Sequence, residues 1–162
     1  MGGVEYDHQV VAYACFIRFR SWELDSEFIR TQVFIVDENY RGQRVGKLLL
    51  NTIENFAKEH QIELEVFQSN HEGAIIDRIQ EAYLDGTEGL LINPGAYTHY
   101  SYAIRDALTS IRFKKVEVHI SNIEEREDFR KISVTKDACD YQIFGQGLKG
   151  YLLGLEYLLK NS

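Results

Sequence analysis

The fold of this chain is constrained most strongly by a regular alternation of two hydrophobic periods along its sequence. From Val33 onward, segments with a strand-like pattern take turns with segments in which apolar side chains recur at helical spacing. The predicted strands are 33–36, 62–67, 89–93, 116–120 and 141–144. The predicted helices are 45–57, 75–83, 101–108, 126–130 and 148–159. Such alternation favours an α/β fold, in which helices cover both faces of a mostly parallel, five-stranded sheet.

The residues before this alternation predict an additional β-structure. Residues 9–20 have a strand-like pattern rich in Val, Tyr and Phe, residues 21–26 are typical of a turn, and residues 28–36 form a second strand-like segment. We therefore expect residues 9–30 to form an N-terminal β-hairpin extension that runs antiparallel to the sheet. The chain contains no low-complexity linker, so residues 1–162 are predicted to form a single domain.

Composition argues against several classes of protein. Apolar residues make up 44% of the 162 residues, and 18 basic against 25 acidic residues give a formal net charge of −7. A protein that binds the nucleic-acid backbone is expected to carry a basic stripe, so no nucleic-acid partner is predicted. No run of about 18 apolar residues is present, and the first residues lack the pattern of a secretory signal. We therefore expect a cytoplasmic protein without a membrane partner.

The two cysteines, Cys15 and Cys139, lie far apart in the sequence and show no metal-ligand spacing. They are predicted to be ordinary buried thiols in a reducing compartment. No metal site is indicated by this pattern.

Polar side chains follow the short apolar strand predicted over 89–93. Pro94 and Gly95 force a turn there, which leaves Asn93 and His99 on a loop at the carboxyl edge of the sheet. In α/β sheets, ligands bind beyond the carboxyl ends of the strands. Asn93 and His99 are therefore candidate binding residues.

The next predicted strand, 116–120, carries a second set of polar side chains. Alternation places Glu117 and His119 on the same face of this strand. A carboxylate beside a histidine can fix the tautomer of the ring and raise its basicity. Arg126 and Arg130 follow four residues apart and are expected on one side of a short helix.

Together, these residues predict one rim with two imidazoles, a carboxamide, a serine hydroxyl and a guanidinium fork. This set suits a small, oxygen-rich anion, because arginine binds a carboxylate bidentately and histidine transfers a proton. Each residue also has a purely structural interpretation. A strand histidine beside a glutamate is often a satisfied structural pair, and Asn93 before Pro-Gly is often a turn residue. Arg126 and Arg130, in an acidic segment, would commonly form a salt-bridged surface.

Four motifs in the later part of the chain are more specific. They are LEVFQSNHEG (64–73), INPGAYTHYSYAIRDAL (92–108), VEVHISNIEEREDFRKIS (116–133) and IFGQGLKGYLLGLEYL (143–158). In this order they resemble type II dehydroquinase, the 3-dehydroquinate dehydratase of the shikimate pathway, over residues 62–159. The resemblance implies a flavodoxin-like three-layer sandwich, no cofactor or metal, and a homo-oligomer of trimers grouped into a dodecamer. It also implies a lyase that removes water from the small anion 3-dehydroquinate by anti elimination through an enolate.

The resemblance assigns a role to each matching residue. His119 is expected to be the general acid that protonates the leaving hydroxyl group, and Glu117 is expected to orient it. The expected substrate-binding residues are Asn93, His99, Ile120, Ser121 and Arg130. Arg130 would hold the carboxylate of the substrate, and Asp106 would reach into the site of a neighbouring subunit.

The first motif of that family is missing from this chain. The motif, of the form NGPNLN…LG.R.P..YG, supplies an asparagine for the enolate, an arginine that lowers the pKa of the base, and the tyrosine base itself. Here residues 37–47 have the sequence DENYRGQRVGK and run directly into a predicted helix. Tyr40, flanked by Arg41 and Arg44, is the candidate replacement base, because neighbouring arginines lower the pKa of a tyrosine. Substrate binding with impaired turnover is therefore expected.

The segment around Tyr40 resembles a second family. FIVDENYRGQRVGKLLL (34–50), preceded by two predicted strands, resembles the acetyl-CoA-binding motif of GNAT N-acetyltransferases, whose R/Q-x-x-G-x-G/A turn presents backbone amides to a pyrophosphate. Arg41 and Gly46 match that motif, whereas Arg44 stands in place of its first glycine. A mosaic is therefore indicated, in which residues 9–61 resemble this second family. An acetyl-CoA-binding N-acetyltransferase and a non-catalytic scaffold are the alternatives to a lyase.

Overall fold

The computed structural model describes residues 12–19 and 45–161, with side chains from Leu49 onward. Its strands are β1 (Ala12–Phe19), β2 (Ile62–Ser69), β3 (Gly89–Asn93), β4 (Lys114–His119) and β5 (Tyr141–Phe144). Its helices are α1 (Val45–Glu59), α2 (Glu72–Leu84), α3 (Tyr102–Ser110) and α4 (Lys149–Asn161). Short 3₁₀ segments cover Gly95–His99, Ile123–Glu125, Asp128–Lys131 and Lys136–Ala138.

The described strands form one sheet in the order β2–β1–β3–β4–β5. β4 pairs in parallel with β3 on one side and with β5 on the other. β1 runs antiparallel to both of its neighbours, β2 and β3, so that β2 points in the same direction as β3, β4 and β5. Helix α3 provides the crossover that a parallel pair such as β3 and β4 requires. The carboxyl ends of β3, β4 and β5 consequently lie at the same edge of the sheet.

An α/β fold with a parallel sheet is confirmed, but the place of β1 differs from a simple extension. The strands predicted near residues 62, 89, 116 and 141 are all present. β1, from the predicted hairpin segment, lies inside the sheet and is paired on both sides rather than added at its margin. Period-two alternation predicts that a segment is a strand, but it does not specify the neighbours of that strand. Residues 20–44, which contain the rest of the predicted hairpin and the strand predicted over 33–36, lie outside the described residues.

The core consists of two apolar clusters on opposite faces of the sheet. Leu91 in β3 belongs to the cluster beneath α1 and α4. Its neighbours Leu90 and Ile92 point the other way, into the cluster beneath α2 and α3. Because β3 is buried on both faces, all five of its residues are buried, which explains the apolar sequence of residues 89–92.

The helix predictions are largely confirmed, with one face assigned wrongly. Ser101 caps α3 as expected, because its side chain accepts a hydrogen bond from the backbone amide of Ile104. Tyr83, predicted to share the buried face of α2, is exposed instead. Ala82 takes the buried position beside Ile79, and Tyr83 lies on the solvent side of the last turn.

Candidate active site

The centre of the candidate site is a histidine–carboxylate pair at the carboxyl end of β4. Glu117 and His119 lie on the same face of this strand, as alternation predicts. Nε2 of His119 is 2.7 Å from Oε1 of Glu117, and both side chains are buried. The sequence prediction that these two residues form a pair agrees with this geometry.

Four further side chains donate hydrogen bonds to the carboxylate of Glu117. Oε1 accepts from Thr98 (2.9 Å), Ser133 (3.0 Å) and Gln142 (2.8 Å). Oε2 accepts from the hydroxyl of Thr135 over 2.5 Å. Gln142 reaches this carboxylate because it lies directly beside Glu117 in the register of β5 against β4.

The environment of Glu117 favours its ionised form. Burial by itself would raise the pKa of this carboxyl group, because it penalises a charge. The hydrogen bond and positive charge of His119, with the hydrogen bonds from Thr135 and Gln142, outweigh burial and lower the pKa to about 2. Glu117 is therefore an anion at neutral pH and can only accept hydrogen bonds.

The second histidine of the site is fixed by a backbone carbonyl. Nδ1 of His99 is 2.7 Å from the carbonyl oxygen of Ile132, so Nδ1 carries the ring hydrogen. Burial lowers the pKa of His99, the hydrogen bond to Ile132 opposes this effect, and the nearby positive charges of Arg130, His119 and Arg126 lower it further. His99 is therefore neutral at pH 7, and its Nε2 can accept a hydrogen bond.

The two arginines converge on the site, but they do not share a helix as predicted. Arg126 lies in extended backbone after one 3₁₀ turn, and Arg130 lies within the next one. The segment is too short and too irregular for helical i, i+4 geometry. Both guanidinium groups face the same carboxylate, that of Glu127, at 3.8 Å from Arg126 and 3.2 Å from Arg130. Arg130 is buried and packs over the ring of Phe129 with 5.0 Å between its Cζ and the ring centroid.

Asn93 is held at both ends of its side-chain amide. Its Oδ1 accepts a hydrogen bond from the backbone amide of Gly95 over 3.0 Å, which is the turn geometry suggested by the Pro-Gly sequence. Its Nδ2 donates to the hydroxyl oxygen of Tyr151 over 3.0 Å. Gly95 has a φ of +59°, a conformation that glycine adopts without steric cost.

The remaining predicted residues occupy different places. Ile120 and Ser121 follow β4 directly and are exposed, and their carbonyl oxygens accept hydrogen bonds from the backbone amides of Gly147 and Gly145. Asp106 lies on the exposed face of α3. Tyr40 lies outside the described residues, as do Arg41 and Arg44 of the acetyl-CoA-like motif.

Five residues of this site were not singled out from the sequence. They are Thr98, Ser133, Thr135, Gln142 and Tyr151. The sequence pattern could have indicated Gln142, because it is a polar residue next to inward-facing Ile143 in β5, the strand that pairs with β4. The hydroxyl residues gave none, since serine and threonine are common in loops.

The described part of the chain offers no metal centre, no membrane-spanning helix and no reactive thiol at Cys139. Among residues 12–19 and 45–161, no group of three or more His, Cys, Asp or Glu side chains is arranged to hold a metal ion. No described helix is long and apolar enough to cross a membrane. Cys139 is a free thiol whose pKa is raised by burial, so it is not poised as a nucleophile.

The fold and these side chains define an α/β protein with a histidine–carboxylate pair at the carboxyl edge of a parallel sheet. The chain belongs to the Dehydroquinase class II family, whose family model matches residues 36–159. The family match begins four residues before Tyr40 and includes the whole of α1. The resemblance of residues 9–61 to acetyltransferases stays a prediction.

Two curated relatives align with about three quarters of this chain. The 3-dehydroquinate dehydratase of Lachnoclostridium phytofermentans is 60% identical over 118 residues, which cover 73% of this chain and 81% of that protein. The 3-dehydroquinate dehydratase of Thermotoga petrophila is 55% identical over 124 residues, covering 76% of this chain and 84% of that protein.

The fold is also similar to a solved structure. The crystal structure of type II dehydroquinase from Butyrivibrio crossotus superposes with a TM-score of 0.66 at 59% sequence identity. The superposition covers 72% of this chain and 79% of the other.

Proposed function

We propose that this chain dehydrates 3-dehydroquinate. The observation that carries the proposal is the buried pair of His119 and Glu117 at the carboxyl end of β4, with His99 and Arg130 close by. All of these residues lie within the range that matches the dehydroquinase family, and two relatives at 55% and 60% identity are named 3-dehydroquinate dehydratase. Loss of a hydroxyl group as water requires a proton donor, and the carboxylate of the substrate requires a cation.

His119 is the proton donor in this proposal. Its Nε2 is committed to Glu117, so Nδ1 is the atom that can reach a bound molecule. In the donor form both ring nitrogens carry a hydrogen: the Nε2 hydrogen is held by Glu117, and the Nδ1 hydrogen is the one given to the substrate. When the carbon–oxygen bond of the enolate breaks, its electron pair stays on the hydroxyl oxygen, which takes the Nδ1 proton and leaves as water. His119 is then neutral.

The other residues of the rim bind the substrate. Arg130 holds the carboxylate as a charge-assisted hydrogen-bond donor. His99 presents its unprotonated Nε2 to a substrate hydroxyl, because its Nδ1 hydrogen is used by Ile132. We assign the remaining contacts with the substrate to Asn93, Ile120 and Ser121.

Tyr40 is the proposed base that removes the proton next to the ketone. The family match starts upstream of this residue, which supports its inclusion in the site. Residues 37–47 contain Asn39, Arg41 and Arg44, but they do not have the order and spacing of the missing family motif. Loss of a general base alone commonly lowers a rate by about 10²–10⁴-fold. We therefore propose that turnover is slow compared with a dehydroquinase that retains the whole motif.

The proposal is tested by following the ultraviolet absorbance of the conjugated product with 3-dehydroquinate as substrate. His119→Ala and Tyr40→Phe are each expected to lower kcat by about 10²–10⁴-fold. His60→Ala is the matched control, because His60 stacks on Phe56 at the end of α1, away from the carboxyl edge of β4. Absence of product formation by the wild-type protein, or equal rates for wild type and His119→Ala, would contradict the proposed reaction.

We also propose that the chain forms a homo-oligomer in which Asp106 serves a neighbouring site. Tyr102 and Asp106 are four residues apart on α3, and both are exposed, so they leave the helix on the same face. Further exposed apolar side chains are Tyr83, Leu84, Tyr100, Phe129 and Ile132. Apolar exposure of this kind favours association. Light scattering that gives the mass of a single chain would contradict this part of the proposal.

A further inference from the structure

Three buried hydroxyl groups lie together against the carboxylate of Glu117. They belong to Thr98, Ser133 and Thr135, which we call the hydroxyl triad. Oγ1 of Thr98 is 2.9 Å from Oγ of Ser133 and 2.8 Å from Oγ1 of Thr135. Each member is also within hydrogen-bond distance of Glu117. Burying hydroxyl groups costs free energy unless each has a partner, and here the carboxylate is the common partner.

The position of the hydroxyl triad is set by the backbone. The amide of Val134 donates to the carbonyl oxygen of Thr98 over 2.7 Å, and the amide of Lys136 donates to Oγ of Ser133 over 3.1 Å. The first bond joins the 3₁₀ segment that carries Thr98 to the loop that carries the other two hydroxyls, and the second is formed within that loop. The backbone therefore brings the three hydroxyls together beside Glu117.

The hydrogen-bond inventory around Glu117 determines where the ring hydrogen of His119 lies. Each hydroxyl of the triad has one hydrogen to donate, and the amide of Gln142 donates as well. An ionised carboxylate can accept all of these hydrogens. A protonated carboxyl group would instead point its own hydrogen at groups that are themselves donors. Nε2 of His119 faces the same acceptor over 2.7 Å, so it must carry a hydrogen.

We propose that the hydroxyl triad is a positioning device for His119. By holding Glu117 ionised and in one rotamer, it fixes the ring hydrogen on Nε2 and leaves Nδ1 facing the candidate site. This inference rests on the proposed dehydration and deepens it. The triad acts through Glu117, so its members are positioning residues rather than catalytic ones.

The tautomer of His119 gives a test that needs no activity. Thr135→Val replaces the hydroxyl by a methyl group of similar size, and Thr135→Ser returns the hydroxyl. In protein labelled with ¹⁵N at histidine, the ring nitrogen chemical shifts report which atom carries the hydrogen. For the neutral ring, the state left after His119 has given up its Nδ1 proton, we expect one Nε2–H tautomer in the wild type and in Thr135→Ser, and a mixture with Nδ1–H in Thr135→Val. An unchanged single tautomer in folded Thr135→Val would overturn the proposal.

Two further variants serve as a control and as a substitute for Thr135→Val. Thr109→Val is the control, because the hydroxyl of Thr109 donates to the carbonyl oxygen of Arg105 on the exposed side of α3, away from Glu117. It should leave the signals of His119 unchanged. If Thr135→Val does not fold, Ser133→Ala, which changes a smaller side chain, takes its place in the tautomer measurement. A mixture of tautomers would then support the proposal, and an unchanged single tautomer would overturn it.

Kinetic measurements on Thr135→Val distinguish a positioning role of the hydroxyl triad from a merely structural role. Thr135 acts only through Glu117 and His119, so Thr135→Val should lower kcat by less than the loss of about 10²–10⁴-fold expected for His119→Ala, while KM changes little. In the His119→Ala background, the same substitution should cause no further loss. An equal loss in both backgrounds would overturn the proposal. If the wild type fails to dehydrate 3-dehydroquinate, the proposed function is wrong, and the tautomer measurement still decides the role of the triad.

Discussion

The hydroxyl oxygen of Tyr151, in the last helix, accepts a hydrogen bond from Nδ2 of Asn93, at the end of β3, over 3.0 Å. The two residues are 58 positions apart, and both are buried. Helix α4 carries none of the residues that the sequence marked as functional. It nevertheless fixes the orientation of a side chain to which substrate binding is assigned.

Removal of the Tyr151 hydroxyl should therefore affect both stability and binding. Tyr151→Phe leaves one buried amide hydrogen of Asn93 without its acceptor, which costs about 1–3 kcal/mol of unfolding free energy. If the chain dehydrates 3-dehydroquinate as proposed, KM for this substrate should rise more than kcat falls, because Asn93 is assigned to substrate binding. Urea denaturation and steady-state kinetics measure the two effects. Tyr157→Phe, in the same helix but stacked on Tyr141 at the edge of the sheet, is the control and should change neither.

The low pKa of Glu117 predicts how stability depends on pH. Its pKa is lowered from the ordinary value of 4.5 to about 2, so its contribution to stability is fully present above pH 4.5 and is lost as the pH falls towards 2. At 1.36 kcal/mol for each unit, this contribution is about 3 kcal/mol. Urea denaturation at several pH values should show a steeper loss of stability below pH 4.5 for the wild type than for Glu117→Gln. If the stability of wild type and Glu117→Gln depends on pH in the same way, Glu117 does not have a lowered pKa in the folded protein. Glu156→Gln is the control: Glu156 is exposed, so this variant should follow the wild type.

The close approach of α4 to β3 predicts opposite effects of two glycine substitutions. A Cβ atom at Gly154 would lie well inside contact distance of Cδ1 of Leu91, a fully buried side chain. Gly154→Ala should therefore lower the unfolding free energy by about 1–3 kcal/mol through overpacking. Gly73, in α2, has no atom within 4 Å of its Cβ position, so Gly73→Ala should raise stability by about 0.4–1 kcal/mol. Thermal denaturation of both variants checks the signs, and stabilisation by Gly154→Ala would contradict the packing described here.

A forked ion pair should stabilise the packing of α2 against β2. Arg78 binds both carboxylate oxygens of Glu65 in β2, each over 2.9 Å, and also lies 3.1 Å from Asp85 after the helix. Arg78→Met should lower the unfolding free energy by about 1–3 kcal/mol, less than for a fully buried pair, because both carboxylates stay partly hydrated. Arg78→Lys should restore only part of the loss, since an ammonium group cannot form the fork.

Urea denaturation measures these changes in Arg78 variants. Lys114→Met is the comparison, because Lys114 pairs with Asp140 near the surface and should change stability little. A loss from Arg78→Met no larger than that from Lys114→Met would show that the fork does not stabilise the fold.

Local patterns in the sequence predicted the elements and part of the site for identifiable reasons. Apolar spacing located α1, α2 and α4, because the buried face of a helix repeats every three to four residues, and Ser101 as a cap located α3. The pairing of Glu117 with His119 followed from alternation within one strand. The helix predicted over 126–130 was wrong, because spacing of charged residues alone does not establish helical backbone.

Apart from the helix predicted over 126–130, the sequence by itself determined which of the described segments become strands and helices, and that two histidines and an arginine lie near the strand ends. The tertiary structure alone decided that β1 lies between β2 and β3, that Arg130 is buried, and that Thr98, Ser133 and Thr135 surround Glu117. The physical reason is the range of the interactions. Periodicity reports contacts within one element, whereas the donors that reach Glu117 from other elements are 16 to 25 residues away in the chain and meet it only when the sheet and its loops assemble.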